Sequence, residues 1–121
     1  MKRALILTLL LTIFTTSYSC GQQKDKEYLL NKDSFEKVIE QKNTQLVDVR
    51  TPKEFKEGTI DNAENVDFLS EDFLDNMQKY NKEEPIYIFC KSGKRSAKAR
   101  QALLDNGFKA VYELDGGYTI W

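Results

Sequence analysis

Apolar positions recur in two rhythms along this chain, and the switching between them predicts its elements. Tyr28-Leu29-Leu30 reads as a short first strand. Asn31-Lys32-Asp33-Ser34 offers N-cap residues, and Phe35, Val38 and Ile39 at i, i+3 and i+4 give the following helix one apolar face. Leu46-Val47-Asp48-Val49 is a β-branched strand. Thr51-Pro52 then sets up a short helical turn, with proline in its tolerated first position, Phe55 as the expected core contact and Gly58 as the stop. Ala63 to Phe68 is expected as a further strand. Ser70 to Phe73 opens a helix whose buried face is Phe73, Leu74, Met77 and Tyr80. Pro85 breaks the chain before the apolar run Ile86-Tyr87-Ile88-Phe89. A helix from Ser96 to Asn106 turns Ala99, Ala102 and Leu103 inward and closes on Asn106-Gly107. Ala110 to Leu114 is the last strand, and Asp115-Gly116-Gly117-Tyr118 turns into a short closing segment.

Strands that alternate with helices define an α/β domain with a mostly parallel central sheet flanked by helices. In such sheets ligands bind beyond the carboxyl ends of the strands. Three stretches fall at those ends: Asp48-Val49-Arg50, Cys90 to Arg95, and Asp115-Gly116-Gly117.

The amino terminus follows another logic. Met1-Lys2-Arg3 is basic, and Ala4 to Phe14 is apolar but too short for a comfortable membrane span. Ser17-Tyr18-Ser19-Cys20-Gly21 resembles a bacterial lipobox, with Tyr18 a departure from the usual small residue. That resemblance implies cleavage before Cys20 and lipid attachment to it, with more than one acyl chain giving stable anchoring. The expected organisation is a signal peptide over 1–19, a tether over 20–27 and a folded domain over 28–121. The plainer alternative is a secretory signal with Cys20 an ordinary thiol. Either way the domain is expected outside the cytoplasm; the lipid would tie it to the cell envelope.

Composition removes several function classes. The chain has 121 residues and a formal net charge of −1, with no basic stripe to suit nucleic acid. It has no histidine, which excludes Ser-His and Cys-His catalysis and any His-ligated metal. Two cysteines are too few for a thiolate zinc site or an iron–sulfur cluster. No cofactor is implied. With Cys20 lipidated, Cys90 is the remaining thiol, so a disulfide scaffold is ruled out.

Candidate chemistry therefore collects on Cys90-Lys91-Ser92-Gly93-Lys94-Arg95-Ser96. The nucleophilic form of cysteine is the thiolate, and a free thiol titrates near ~8.5. Without a histidine base, activation is expected from Lys91, Lys94 and Arg95 and from the dipole and free amides of the helix beginning near Ser96. Gly93 permits a tight curl whose successive N–H groups form an anion nest. A structural cysteine buried at a strand end is the bland alternative.

These residues resemble the active-site loop of single-domain rhodaneses: cysteine, two variable residues, glycine, one variable residue, arginine. Asp48-Val49-Arg50-Thr51-Pro52, with Gly58-Thr59-Ile60 and Asn62 to Val66, resembles that family's early motif. Leu114-Asp115-Gly116-Gly117 and Trp121 resemble its closing motif. Thr59 stands where the early motif usually has histidine and Asn62 where it often has glycine. The chain stops at Trp121, where relatives usually run on, so a curtailed last helix is expected.

The resemblance implies a rhodanese-like fold and sulfane-sulfur transfer. Cys90 would take the outer sulfur of a small anionic donor such as thiosulfate, and a thiol or cyanide would collect it. The amides of Lys91 to Ser96 would hold the persulfide, and Lys91 and Lys94 would attract the donor. Arg95 would brace the loop, pairing with Asp48, while Arg50 and Glu54 would pair four residues apart. Two rival readings stay open: a non-catalytic persulfide carrier or redox partner module, and a rhodanese-fold cysteine phosphatase or arsenate reductase. The loops of the latter are one residue longer than the four residues Lys91 to Lys94 that separate Cys90 from Arg95 here.

Overall fold

A computed structural model describes residues 26–121; the expected signal segment, Cys20 and most of the tether lie outside the described residues. Ten short elements follow one another: β1 (Leu29–Leu30), α1 (Lys32–Ile39), β2 (Gln45–Asp48), α2 (Pro52–Glu57), β3 (Glu64–Asn65), α3 (Phe73–Met77), β4 (Ile86–Phe89), α4 (Lys94–Asp105), β5 (Val111–Leu114) and a closing 3₁₀ turn, Gly117–Ile120. All strand pairs are parallel, and the sheet order is β1-β5-β4-β2-β3. The α/β arrangement is the one expected, with the sheet parallel throughout.

Both faces of the sheet are covered, which is what the near-continuous apolar strands require. Ile86 and Ile88 pack with Phe73, Met77, Ala99 and Leu103 on one face. The alternate residues Tyr87 and Phe89 pack with Phe35, Leu46, Tyr118 and Trp121 on the other. Burying a side chain such as Phe89 or Ile88 completely contributes about 1.5–3 kcal/mol. Cys90 continues the parity of Ile86 and Ile88 and so faces α4.

The ends of the elements follow their local chemistry. The Asn31 side chain accepts the Ser34 N–H and starts α1. Thr51 and Glu54 cap α2 reciprocally, a capping box. At the end of α4 the amides of Gly107 and Phe108 return to the carbonyls of Leu104 and Leu103, with Gly107 at φ 93°, a Schellman closure.

Several expectations on elements change, among them the helix expected to open at Ser70, which begins at Phe73. The helix α4 starts at Lys94 rather than Ser96, because left-handed Gly93 (φ 104°) already serves as its N-cap. Lys94 and Arg95 therefore belong to the first turn. Phe55 is only half-buried, and no residue of the six-residue α2 is buried; Ile60, in the loop beyond, takes the interior place. The strand over 63–68 is regular only at Glu64–Asn65, although the Val66 and Phe68 amides still donate to the carbonyls of Asp48 and Val49. Leu74 and Ala102 are half-buried rather than core residues.

Candidate active site

Loops at the carboxyl ends of β2, β4 and β5 meet, as a parallel sheet dictates. Cys90 follows β4 directly and is 1% exposed. Its sulfur accepts the Gly93 N–H at 3.1 Å and lies 3.6 Å from the Ser96 hydroxyl oxygen. Burial pushes the Cys90 thiol up. The Ser96 hydroxyl and the amides of Ser96, Gly93 and Ser92 outweigh burial and bring it below the ordinary thiol range. Lowering by hydroxyl and amides comes ahead of the expected lowering by cations: Lys91 and Lys94 are exposed, and of the three cations it is Arg95 whose charge is coupled to Cys90.

The loop's amides can face the sulfur because its carbonyls are occupied elsewhere. The Tyr118 N–H donates to the Cys90 carbonyl at 2.8 Å. The Thr119 N–H and hydroxyl donate to the Lys91 carbonyl at 3.0 and 2.7 Å. The closing 3₁₀ turn thus grips the outside of the cysteine loop. Gly117 makes the approach feasible, since a Cβ there would lie 2.6 Å from the carbonyl oxygens of both Cys90 and Lys91.

Arg95 braces the loop through a partner other than the one expected. Its guanidinium binds Glu54 bidentately, Nη1 to Oε1 at 2.7 Å and Nη2 to Oε2 at 3.0 Å. The Arg95 hydrogen bonds hold the Glu54 carboxyl down at about 2, against burial and with help from Thr51. The same bonds raise Arg95. One carboxylate therefore caps α2 and anchors the first turn of α4.

Asp48 and Arg50 form their own unit, so neither the Asp48–Arg95 nor the Arg50–Glu54 pairing occurs. Arg50 Nη2 donates to Asp48 Oδ2 at 2.7 Å, and the Arg50 backbone N–H donates to Oδ1 at 2.9 Å. Arg50 is close enough in sequence to fold back on the carboxylate, whereas Arg95 faces α2. Asp48 is fully buried and Arg50 4% exposed, with the guanidinium 4.2 Å from the Tyr118 ring centre. The Thr59 hydroxyl donates to Asp48 Oδ2 at 2.9 Å, so threonine supplies a hydrogen bond from the position where the resembling motif has histidine. Asn62 adopts φ 67°, the left-handed conformation that asparagine tolerates best after glycine.

Glu113 was not among the candidates. It is a buried acid on β5 whose Oε1 accepts the Ser96 hydroxyl at 2.8 Å. The signal was present in the sequence: in Val111-Tyr112-Glu113-Leu114 the acid takes an alternate position with buried Val111.

A five-stranded parallel sheet with a thiol seated among amides at its carboxyl edge is an α/β cysteine-loop architecture. The Rhodanese-like domain model matches residues 31–121, and the chain belongs to that family. Thiosulfate sulfurtransferase GlpE of Shewanella oneidensis is 33% identical over 92 residues, 76% of this chain and 89% of its own length. The uncharacterized protein YqhL of Bacillus subtilis is 36% identical over 80 residues, 66% of this chain and 62% of its own, so the chain spans just under two thirds of that relative. Among solved structures, the rhodanese-like domain protein of Staphylococcus aureus superposes with a TM-score of 0.67 at 36% identity, over 76% of this chain and 88% of that one.

Proposed function

We propose that this protein is a sulfurtransferase in which Cys90 carries sulfane sulfur from a small anionic donor to a thiophilic acceptor. The observation that carries this reading is the seat of the sulfur. Cys90 Sγ accepts an amide N–H at 3.1 Å at the mouth of α4, in a thiolate-favouring site that involves no histidine. The relatives named thiosulfate sulfurtransferase support the same reading.

With thiosulfate as donor, the Cys90 thiolate attacks the outer sulfur. The donor's S–S bond breaks, sulfite leaves with its electron pair, and Cys90 becomes a persulfide anion. Cyanide or a thiolate then attacks the terminal sulfur, and the Cys90 thiolate is regenerated. This is covalent ping-pong catalysis. The amides of Lys91 to Ser96 hold the terminal sulfur as an anion, and the exposed Lys91 and Lys94 draw in the donor. Arg95 positions the loop through Glu54.

Residues 1–19 act as a lipoprotein signal in this reading, and lipidated Cys20 tethers the domain to the bacterial envelope; the support is the sequence pattern alone. Palmitate labelling of expressing cells is expected to vanish in Cys20→Ala, and unchanged labelling would overturn the tether. For the activity, mass spectrometry after thiosulfate treatment should show one added sulfur on Cys90 that cyanide removes as thiocyanate over many turnovers. No gain, or an equal gain in Cys90→Ser, refutes the mechanism. Gain without turnover identifies a carrier instead.

A further inference from the structure

Sulfur transfer as derived above leaves the buried acid Glu113 unused, although it adjoins the cysteine loop through Ser96. Glu113 is 3% exposed and stands on β5 beside Leu29 of β1 and Ile88 of β4. A carboxylate removed from water in this way is costly unless it serves a partner. Its partner is Ser96, itself fully buried, at 2.8 Å.

Ser96 has one hydroxyl proton and three acceptors around it. Glu113 Oε1 lies at 2.8 Å, the Gly93 carbonyl at 3.1 Å and the Cys90 sulfur at 3.6 Å. Donation to the carboxylate leaves the Ser96 lone pairs free to accept the Cys90 S–H. The hydrogen bonds then run without a gap from thiol to hydroxyl to carboxylate.

We propose that Glu113, acting through Ser96, takes up the proton of Cys90 as the thiol becomes a thiolate. The Cys90 S–H bond breaks and its electron pair stays on sulfur. The proton moves to Ser96 Oγ while the proton of Ser96 moves to Glu113 Oε1. Nothing is oxidised or reduced, and one negative charge passes from carboxylate to sulfur. Ser96 ends by donating to the thiolate and accepting from the neutral carboxyl. Glu113 touches no substrate; it holds the proton that a histidine would otherwise take.

The surroundings of Glu113 suit this exchange. Burial raises its carboxyl above the usual range, against the hydrogen bond from Ser96 and the charges of Arg100 on α4 and Lys26 ahead of β1. Arg100 does not neutralise it directly: the Arg100 Nε donates to the Val111 carbonyl at 3.1 Å, and its guanidinium lies 3.4 Å from the Tyr28 ring centre. The Ser96 hydroxyl is shared by both groups, so in this proposal the thiol and the acid titrate as a coupled pair.

The inference deepens the reading of Cys90 as the nucleophile, but its test uses no sulfur donor. The rate at which iodoacetamide alkylates Cys90 in the full chain is followed against pH. The wild type should rise in two steps more than about one pH unit apart, because the pair loses two protons in turn. Glu113→Gln keeps the shape and removes the acid, so its profile should collapse to one step. Ser96→Ala should do the same with Glu113 still present. A Glu113→Gln profile that superimposes on the wild type overturns the proposal. So does a two-step profile that survives Ser96→Ala, since Glu113 would then act only through space. Should either variant fail to fold, the wild type alone decides. Between the steps, the ultraviolet absorbance of the thiolate must coexist with the infrared carbonyl stretch of a protonated carboxyl, and thiolate absorbance without that stretch refutes the transfer. Failed persulfide loading leaves all these readouts standing.

Discussion

Replacing Glu54 by glutamine isolates the brace between α2 and α4. The carboxyl is held at about 2 rather than 4.5, first by its hydrogen bonds from Arg95. At 1.36 kcal/mol per pH unit, that depression corresponds to a ceiling of about 3 kcal/mol. The two side chains remain 22% and 26% exposed, so solvent competes for both charges. Screening reduces the expected loss to roughly 1–2 kcal/mol at neutral pH. The sign is fixed by linkage. A carboxyl depressed in the folded state contributes fully above its unfolded value, near ~4.3, and loses that contribution as pH falls toward 2. Urea unfolding of wild type and Glu54→Gln should therefore differ at pH 7 and converge as the pH approaches 2. A double-mutant cycle with Arg95→Gln should return a coupling of the same size at pH 7. A pH-independent difference, or a coupling near zero, would refute the account of Arg95 as the loop's anchor.

Gly117→Ala should destabilise by roughly 2–4 kcal/mol, read as a lower urea midpoint, because it combines φ 63° with a Cβ placed 2.6 Å from two carbonyl oxygens. Asp48→Asn leaves the Arg50 charge buried without its counter-ion and should cost about 3–5 kcal/mol in the same assay. Asn62→Ala should cost about 1 kcal/mol, since alanine resists the left-handed conformation, whereas Asn62→Gly should stay close to the wild type.

The elements were legible where the local chemistry has one outcome. The run Ile86–Phe89, the cap at Asn31 and the closure at Gly107 each specify their own geometry. Gly93 was legible as a residue for positive φ, but its service as the helix cap was not, which is why α4 begins two residues early. Charge pairing was the least legible. Asp48, Arg50, Glu54 and Arg95 offer several opposite-charge pairings, some local and some distant in sequence, and the choice depends on which way each strand end and helix turn faces. Arg50 returns to the carboxylate two residues behind it, so Glu54 is left for Arg95, 41 residues away. Phe55 was misplaced because a six-residue helix has no full apolar stripe, and the loop residue Ile60 reaches the core instead. Glu113 escaped notice because a lone acid in a strand reads as a solvated position until the sheet is known to be covered on both faces.

The division of labour between amides and lysines leads to a test by salt. The groups that lower Cys90 most are the Ser96 hydroxyl and the backbone amides of the loop, and ions in solution do not reach those groups. Lys91 and Lys94 are exposed, and their attraction for a distant anion is screened once the Debye length falls from ~30 Å at 0.01 M to ~10 Å at 0.1 M. Alkylation by neutral iodoacetamide should therefore be nearly independent of salt. Sulfur loading from thiosulfate should slow by about tenfold or more over the same range, the lower end of what charge steering supplies. If both rates fall together, the lysines set the thiol's acidity after all and the amide account fails. If neither falls, the lysines do not guide the donor. A fall confined to thiosulfate separates making the thiolate, done inside the loop, from gathering the donor, done at its rim.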